Sequence, residues 1–385
     1  MWLLILGLFL FFLLIVLHEY GHFLVAKRNG VEVEEFGVGF PPKLFGKTMG
    51  KGIFRGYYTV NLLPLGGFVR LKGEEDGATE KGSLGAASTP AKLRIMLAGV
   101  AVNLVAALLF FTVVAWLGMP QIVPNQFTVK SDSTVLRSDV YAGFIEKDSP
   151  AASAGLQTGD IITSINDVAI TNAADLRTVT SANAGQTVPI AYTHDGQPKT
   201  ATVQLQSEQT VVESRSTATP KGYLGVVPRD YTLLRSTWSA PIVAVGVSAQ
   251  FTSLTIKALG QSIYNLFAAL FNVITGDTTT AKKQASKASE NVSGPVGIFA
   301  ILQQGADLGY QFILFVVAVL SLTLAIMNFL PIPALDGGRA FVMLLFKALK
   351  KPLSPDTEAR IHGTGFALLM ILFIVITVVD IRRFY

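Results

Sequence analysis

The chain has no cysteine, only four histidines, and charged side chains at just 15% of its 385 residues. Each scarcity excludes something. Without cysteine there is no disulfide and no thiolate ligand, so any bound metal must be held by His, Asp or Glu. The charge content falls well below the about 25% usual for soluble domains, and half of the residues are hydrophobic, so part of the chain belongs in a membrane. The net charge of +5 does not read as a nucleic-acid footprint, because the lysines and arginines flank apolar stretches and no base-stacking motif accompanies them. They read as loop residues on the cytoplasmic side. Membrane lipids are expected partners and nucleic acid is not.

Four uncharged apolar runs, residues 1–17, 95–119, 310–335 and 363–379, reach the ~17–25 residues that cross a bilayer. The first lacks a basic n-region and a small-residue cleavage site, so it reads as a retained helix rather than a signal peptide. Residues 36–73 are Gly-rich and β-flavoured, with Tyr57, Thr59, Pro64, Gly66 and Gly67 suggesting short strands and turns. The stretch from Glu74 to Pro90 reads as a flexible linker. From Gln121 to about Asp230 the chain is polar and long enough for one globular domain. Residues 241–275 are apolar but sprinkled with Ser, Gln, Thr and Lys257, which suits either a surface-lying amphipathic helix or a fifth span.

Inside the first run stands His18-Glu19-Tyr20-Gly21-His22. On a helix, i and i+4 share a face, so both imidazoles can reach one zinc at ~2.0–2.1 Å. Glu19 lies on the same turn, placed to take a proton from a metal-activated water. A catalytic zinc needs a third protein ligand and an open position. His194 falls in the polar domain and His362 just before the last run, neither well placed at membrane depth. Asp336, in "MNFLPIPALDGGRAF", stands where Pro331, Pro333, Gly337 and Gly338 break the third run, and broken backbone at membrane depth lines a buried or watered site. Alone, Asp336 reads as an Asp-Gly turn residue; beside an H-E-x-x-H that lacks a partner, it is the candidate ligand.

"HEYGH" in the first run, "LDGGR" after "NFLPIPA" in the third, and a polar domain between them resemble the site-2 protease family of intramembrane zinc metalloproteases, of the bacterial regulator-of-sigma-E type. The resemblance covers nearly the whole chain. It implies one Zn2+ per chain on His18, His22 and Asp336, Glu19 as general base and acid, and Asn328 positioning substrate. It also implies that "GGFVR", with Gly66, Gly67, Phe68 and Val69, lies in a hairpin-like element beside the active site. "SGPVGI" at positions 293–298 is a further match. In "AGVAVN" the chain has Val100 where the family usually has proline, leaving Asn103 as a site neighbour. Within the polar domain, residues 143–170 resemble a PDZ domain, and "GYLGV", with Tyr223, Leu224, Gly225 and Val226, its peptide-binding loop and strand. The position of that loop at the domain's end implies a circularly permuted form.

The expected fold is a polytopic α-helical membrane protein with about four transmembrane helices, a membrane-associated β-hairpin element and one extracytoplasmic, β-rich PDZ domain. The expected parts are a first helix over 1–26, the β element over 36–73, a second helix over 91–119, and the PDZ domain over 125–230. They continue with an amphipathic surface helix over 241–275, a third transmembrane helix over 308–335 and a fourth over 361–381. Since one metal cannot bind ligands from opposite faces, Asp336 shares the cytoplasmic side with His18, and 241–275 should not cross but lie on or partly in the outer leaflet. The expected setting is the cell inner membrane, active site toward the cytoplasm. Expected substrates are single-span proteins such as anti-sigma factors or remnant signal peptides, with an upstream protease trimming the same substrate. The alternatives are a non-enzymatic PDZ scaffold with structural zinc, disfavoured by only three nameable ligands, and a zinc transporter, disfavoured by the lack of paired repeats.

Overall fold

The computed structural model describes residues 2–74, 78–217, 219–290 and 293–384. The chain divides into two compact units, residues 1–115 with 239–385, and residues 116–238.

The first unit opens with α1 (Trp2–Arg28). The helix stops where Gly30 takes φ +76°, letting the Val31 N–H reach back to the Ala26 carbonyl at 3.0 Å. This is a left-handed glycine cap, with Lys27 and Arg28 at the electronegative helix end. Strands β1 (Val33–Met49) and β2 (Gly56–Leu71) follow. They curl so that Phe36–Val38 is paired on one side with Gly67–Val69 and on the other with Tyr58–Val60. Phe23, Phe36 and Tyr58 pack their rings together and pin this element to α1. Phe40, Leu44, Phe45, Leu62 and Leu63 stay exposed, an apolar surface suited to lipid.

The linker expected between Glu74 and Pro90 is instead anchored around Ser83 and Leu84, while Thr79, Glu80, Lys81 and Ala86 stay exposed. Ser83 and Leu84 are buried, and main-chain bonds join Glu32 to Gly82, Leu84 to Lys72 and Gly85 to Gly73. Its polar composition masked the fact that its backbone groups find partners on the β element. Residues 75–77 lie outside the described residues. Helices α2 (Thr89–Met96) and α3 (Ala98–Leu117) are separated by Leu97, at φ −95° and ψ 3°.

The second unit contains β3 (Met119–Pro120), β4 (Thr134–Ile145), α4 (Pro150–Ser153), β5 (Ile161–Ile165), β6 (Val168–Ala169), α5 (Ala173–Ala182), β7 (Thr187–His194), β8 (Gln197–Gln204), α6 (Glu208–Ser214) and β9 (Val226–Arg235). The sheet runs β3-β9-β4-β5-β7-β8, with β6 beside β5. Its core is built by Val140, Ile162, Ile165, Leu176 and Ile190, each fully buried aliphatic worth ~1.5–3 kcal/mol.

The chain then returns to the first unit as α7 (Ala240–Ile274), α8 (Thr278–Glu290), α9 (Pro295–Gly305), α10 (Tyr310–Phe329), α11 (Asp336–Ala348) and α12 (Pro355–Phe384). Among the described residues, five helices are long and apolar enough to cross a membrane: α1, α3, α7, α10 and α12. Helix α7 runs unbroken for 35 residues, and Tyr264, Phe267, Phe271 and Ile274 in its second half are exposed. Helix α10 ends at Phe329 because Pro331 and Pro333 cannot continue it, and α11 begins at Asp336.

Candidate metal centre

His18 and His22 lie one turn apart on α1, both buried, and Asp336 opens α11. His18 Nε2 and His22 Nε2 lie 3.1 and 3.2 Å from Asp336 Oδ2 and 3.3 Å from each other. Tetrahedral zinc with bonds of ~2.0–2.1 Å separates its ligand atoms by ~3.3 Å, so this triangle has the spacing the metal demands and leaves the fourth position open. Charge supports the fit. Nδ1 of His22 donates to the Ile95 carbonyl at 2.7 Å, which leaves a lone pair on its Nε2 facing an Asp336 oxygen that has no hydrogen-bond partner among the described residues. Electron-rich atoms so close need a proton or a metal cation between them, and three of them converging on one point suit the metal.

The two rings are held by the α2–α3 junction. Ile95 belongs to the last turn of α2, where helix carbonyls lack in-helix partners, and the break at Leu97 leaves one for His22. One turn into α3, the Asn103 amide lies 3.1 Å from His18 Nδ1. The atom so placed is Nδ2; with the amide turned over, so that its otherwise unpartnered oxygen faces the ring, Asn103 accepts from Nδ1 and leaves Nε2 free to ligate, the usual carbonyl or carboxylate support of a ligand histidine. Between them Gly99 makes room, since a Cβ there would fall 2.4 Å from His18 Cε1.

Glu19 points under β2. A Cβ on Gly67 would lie 3.6 Å from Glu19 Cγ, an ordinary contact, and 3.0 Å from the Gly37 carbonyl oxygen, a tight one. The Val69 amide is hydrogen-bonded to the Glu19 carboxylate, and the Leu71 N–H donates to Glu74 Oε1 at 2.9 Å. These two residues, two apart, turn their N–H groups away from the ladder with β1. A cavity of about 190 Å3 beside them is lined by Glu19, His22, Val69, Leu71, Asp336 and Arg339, among others. Arg339 Nη1 lies 3.4 Å from Glu74 Oε2. Phe68 stacks on Phe40 at 6.3 Å between centroids, and Gly66, at φ +149°, is buried.

The remaining candidates sit elsewhere. Asn328 is half-buried near the end of α10, outside the cavity lining, with no hydrogen bond to any described residue. Tyr223, Leu224, Gly225 and Val226 line a separate groove in the second unit. Missed from the sequence were the main-chain carbonyl of Ile95, which no side-chain motif encodes, and Gly99, whose spacing four before Asn103 was the available signal.

These are the features of a metalloenzyme set among apolar helices. The family model of peptidase family M50 matches residues 6–372, and the chain belongs to that family, the site-2 proteases. It is 31% identical over 372 residues to a Clostridium acetobutylicum protein whose name assigns it provisionally to the zinc metalloproteases, with 96% of this chain and 95% of that one covered. It is 26% identical over 457 residues to the zinc metalloprotease RasP of Shouchella clausii, covering 98% of each. Among solved structures, the PDZ domain of an SdrC-like protein from Listeria monocytogenes aligns at TM-score 0.19 and 27% identity, over 23% of this chain and 86% of that domain. The protein is thus an integral-membrane zinc metalloprotease acting on membrane proteins, and the scaffold and transporter alternatives fall away.

Proposed function

We propose that the chain hydrolyses peptide bonds within transmembrane segments of single-span proteins, with His18, His22 and Asp336 holding the zinc and Glu19 as general base and acid. The observation that carries this is the triangle of 3.1, 3.2 and 3.3 Å formed by the three ligand atoms beside Glu19. Zinc, when bound, polarises the scissile carbonyl and acidifies water. Glu19 takes the water's proton and passes it to the leaving amine. A substrate helix hides its carbonyls in its own hydrogen bonds, so it must be held extended. The strand Gly67–Leu71, paired on one side with β1, offers its other edge for that purpose. Glu19→Gln tests the assignment: cleavage of a membrane-helix substrate falls by ~10^2–10^4 while zinc content holds. Retained cleavage overturns it.

The metal centre lies toward the cytoplasmic face and the second unit outside the cell membrane. Helix α12 supports this reading. His362 near its start touches Ala334 beside Asp336, and Asp380 near its end accepts from the Gly294 and Gly297 N–H groups at 2.7 and 2.8 Å. Eighteen residues of helix rise ~27 Å, close to the ~30 Å hydrocarbon thickness, which puts Gly294 on the face opposite the metal. The stretch from α7 to Gly294 then begins and ends outside, and α7 makes no single crossing. Cysteine labelling that places the two ends of α7 on opposite faces refutes this.

The second unit acts as a circularly permuted PDZ module. Between α5 and the start of β9, at Val226, Val227 and Pro228 before β3 pairs with it, runs a groove of about 550 Å3. The carbonyls of Tyr223, Leu224 and Gly225 accept from Gln206, Ala151 and Glu146, while their N–H groups donate to nothing among the described residues. Such a loop suits a terminal carboxylate. Substrates are anti-sigma factors or remnant signal peptides, first trimmed on their outer side by another protease, in the inner membrane.

A further inference from the structure

The metal centre draws two ligands from a continuous helix and the third from a break. The break is a strained one. Ala334 adopts φ +80°, a left-handed conformation that costs a non-glycine residue about 1–3 kcal/mol and persists only where its surroundings impose it. Asp336 is the first residue of α11, yet the N-cap residue Leu335 offers no side-chain bond to anchor that helix start. Something outside the loop must therefore fix where the carboxylate points.

Two surfaces grip the loop. On one side α11 supplies Gly337 and Gly338, where a Cβ would fall 2.2 Å from the Phe329 carbonyl oxygen and 1.9 Å from that of Ile332. On the other, α12 supplies Gly365, where a Cβ would fall 2.6 Å from the Pro333 carbonyl oxygen. One turn earlier on that same face of α12, His362 accepts the Ala334 N–H on Nδ1 at 3.2 Å. Its Nε2 is buried and has no hydrogen-bond partner among the described residues. A half-buried imidazole that leaves one nitrogen unsatisfied in a membrane helix is costly to keep. The bond to Ala334 is what it provides.

We propose that His362 is a positioning residue for the metal centre: by accepting the Ala334 N–H it holds the left-handed turn that delivers Asp336 to His18 and His22. The proposal rests on Asp336 being a zinc ligand. The sequence weighs against His362 only as a ligand, because it stands just before the last apolar run, and gives no sign of this supporting contact.

The test uses full-length protein in detergent, with three substitutions. Asparagine keeps an acceptor oxygen near the place of Nδ1, glutamine moves it one bond further, and leucine removes it. In zinc-free protein, hydrogen exchange of the Ala334 amide speeds up in His362→Leu and His362→Gln and stays at the wild-type rate in His362→Asn. Zinc affinity, read by chelator competition, weakens about 10–100-fold in the first two, the usual effect of losing an outer-shell partner, and is restored in His362→Asn. Cleavage by the zinc-saturated enzyme then shows a lower kcat at unchanged KM. If His362→Leu does not fold, His362→Gln carries the comparison. Unchanged exchange and unchanged zinc affinity in His362→Leu and His362→Gln overturn the proposal. So does faster exchange with unchanged affinity, or an asparagine variant that behaves like leucine. A separate Asp336→Ala variant that keeps wild-type zinc affinity overturns the ligand assignment, and the Ala334 exchange readout still decides whether His362 holds the turn.

Discussion

His22 donates its Nδ1 proton to the main-chain carbonyl of Ile95 at 2.7 Å, across 73 residues of sequence. That bond fixes the tautomer that leaves Nε2 bearing a lone pair. It exists because α2 ends before α3 begins, so the helix break at Leu97 is part of the metal centre.

The same junction makes Gly99 sensitive. A methyl group there would meet the His18 ring at 2.4–2.6 Å, inside any tolerable contact, so the ring or α3 must shift. Gly99→Ala should weaken zinc binding at least about tenfold, the low end for a disturbed ligand, measured as metal content after dialysis against a chelator. Wild-type retention would show that the His18 ring is not confined by α3.

Asn103 touches the same ring from the next turn. Asn103→Ala leaves His18 Nδ1 without a partner and should lower zinc affinity by about 10–100-fold. Asn103→Asp, which keeps an acceptor, should retain most of it. Equal losses in both would argue that the Asn103 amide matters for packing and not for the tautomer.

Val69→Pro removes the outward N–H of β2 that meets Glu19 and leaves the zinc ligands in place. Cleavage of a short unstructured peptide should fall because Glu19 loses its main-chain partner, and cleavage of a helical substrate should fall further, because only the helix needs a strand edge to replace its internal bonds. A matched loss on both substrates would sink the clamp.

For the groove of the second unit, an extended peptide with a free C-terminus should bind the full-length protein, and its C-terminal amide at least about tenfold more weakly, as expected when charge-assisted bonds are lost. Equal binding of the two, by fluorescence anisotropy, would leave only a size-filtering role for the domain.

How much of this was legible in the sequence depended on what kind of group carries each job. The side chains with chemistry of their own, His18, Glu19, His22 and Asp336, stood out because ionisable groups are costly inside apolar runs, and the structure brings candidate ligand atoms of His18, His22 and Asp336 within 4.8 Å of one another. Proline and glycine marked the break before Asp336 for the same local reason. Main-chain contributions were invisible: the Ile95 carbonyl and the amides of Tyr223, Leu224 and Gly225 depend on fold and not on residue type. The packed segment around Ser83 and Leu84 was hidden by a polar composition that elsewhere means a loop. Asn328 was named by resemblance, and its side chain is not among those lining the cavity.

The two imidazoles come early in the chain and the carboxylate that faces them comes near its end. On the proposed assignment, a ribosome therefore makes the candidate base and two candidate ligands long before the third, and the cage can close only once Asp336 has followed them into the membrane.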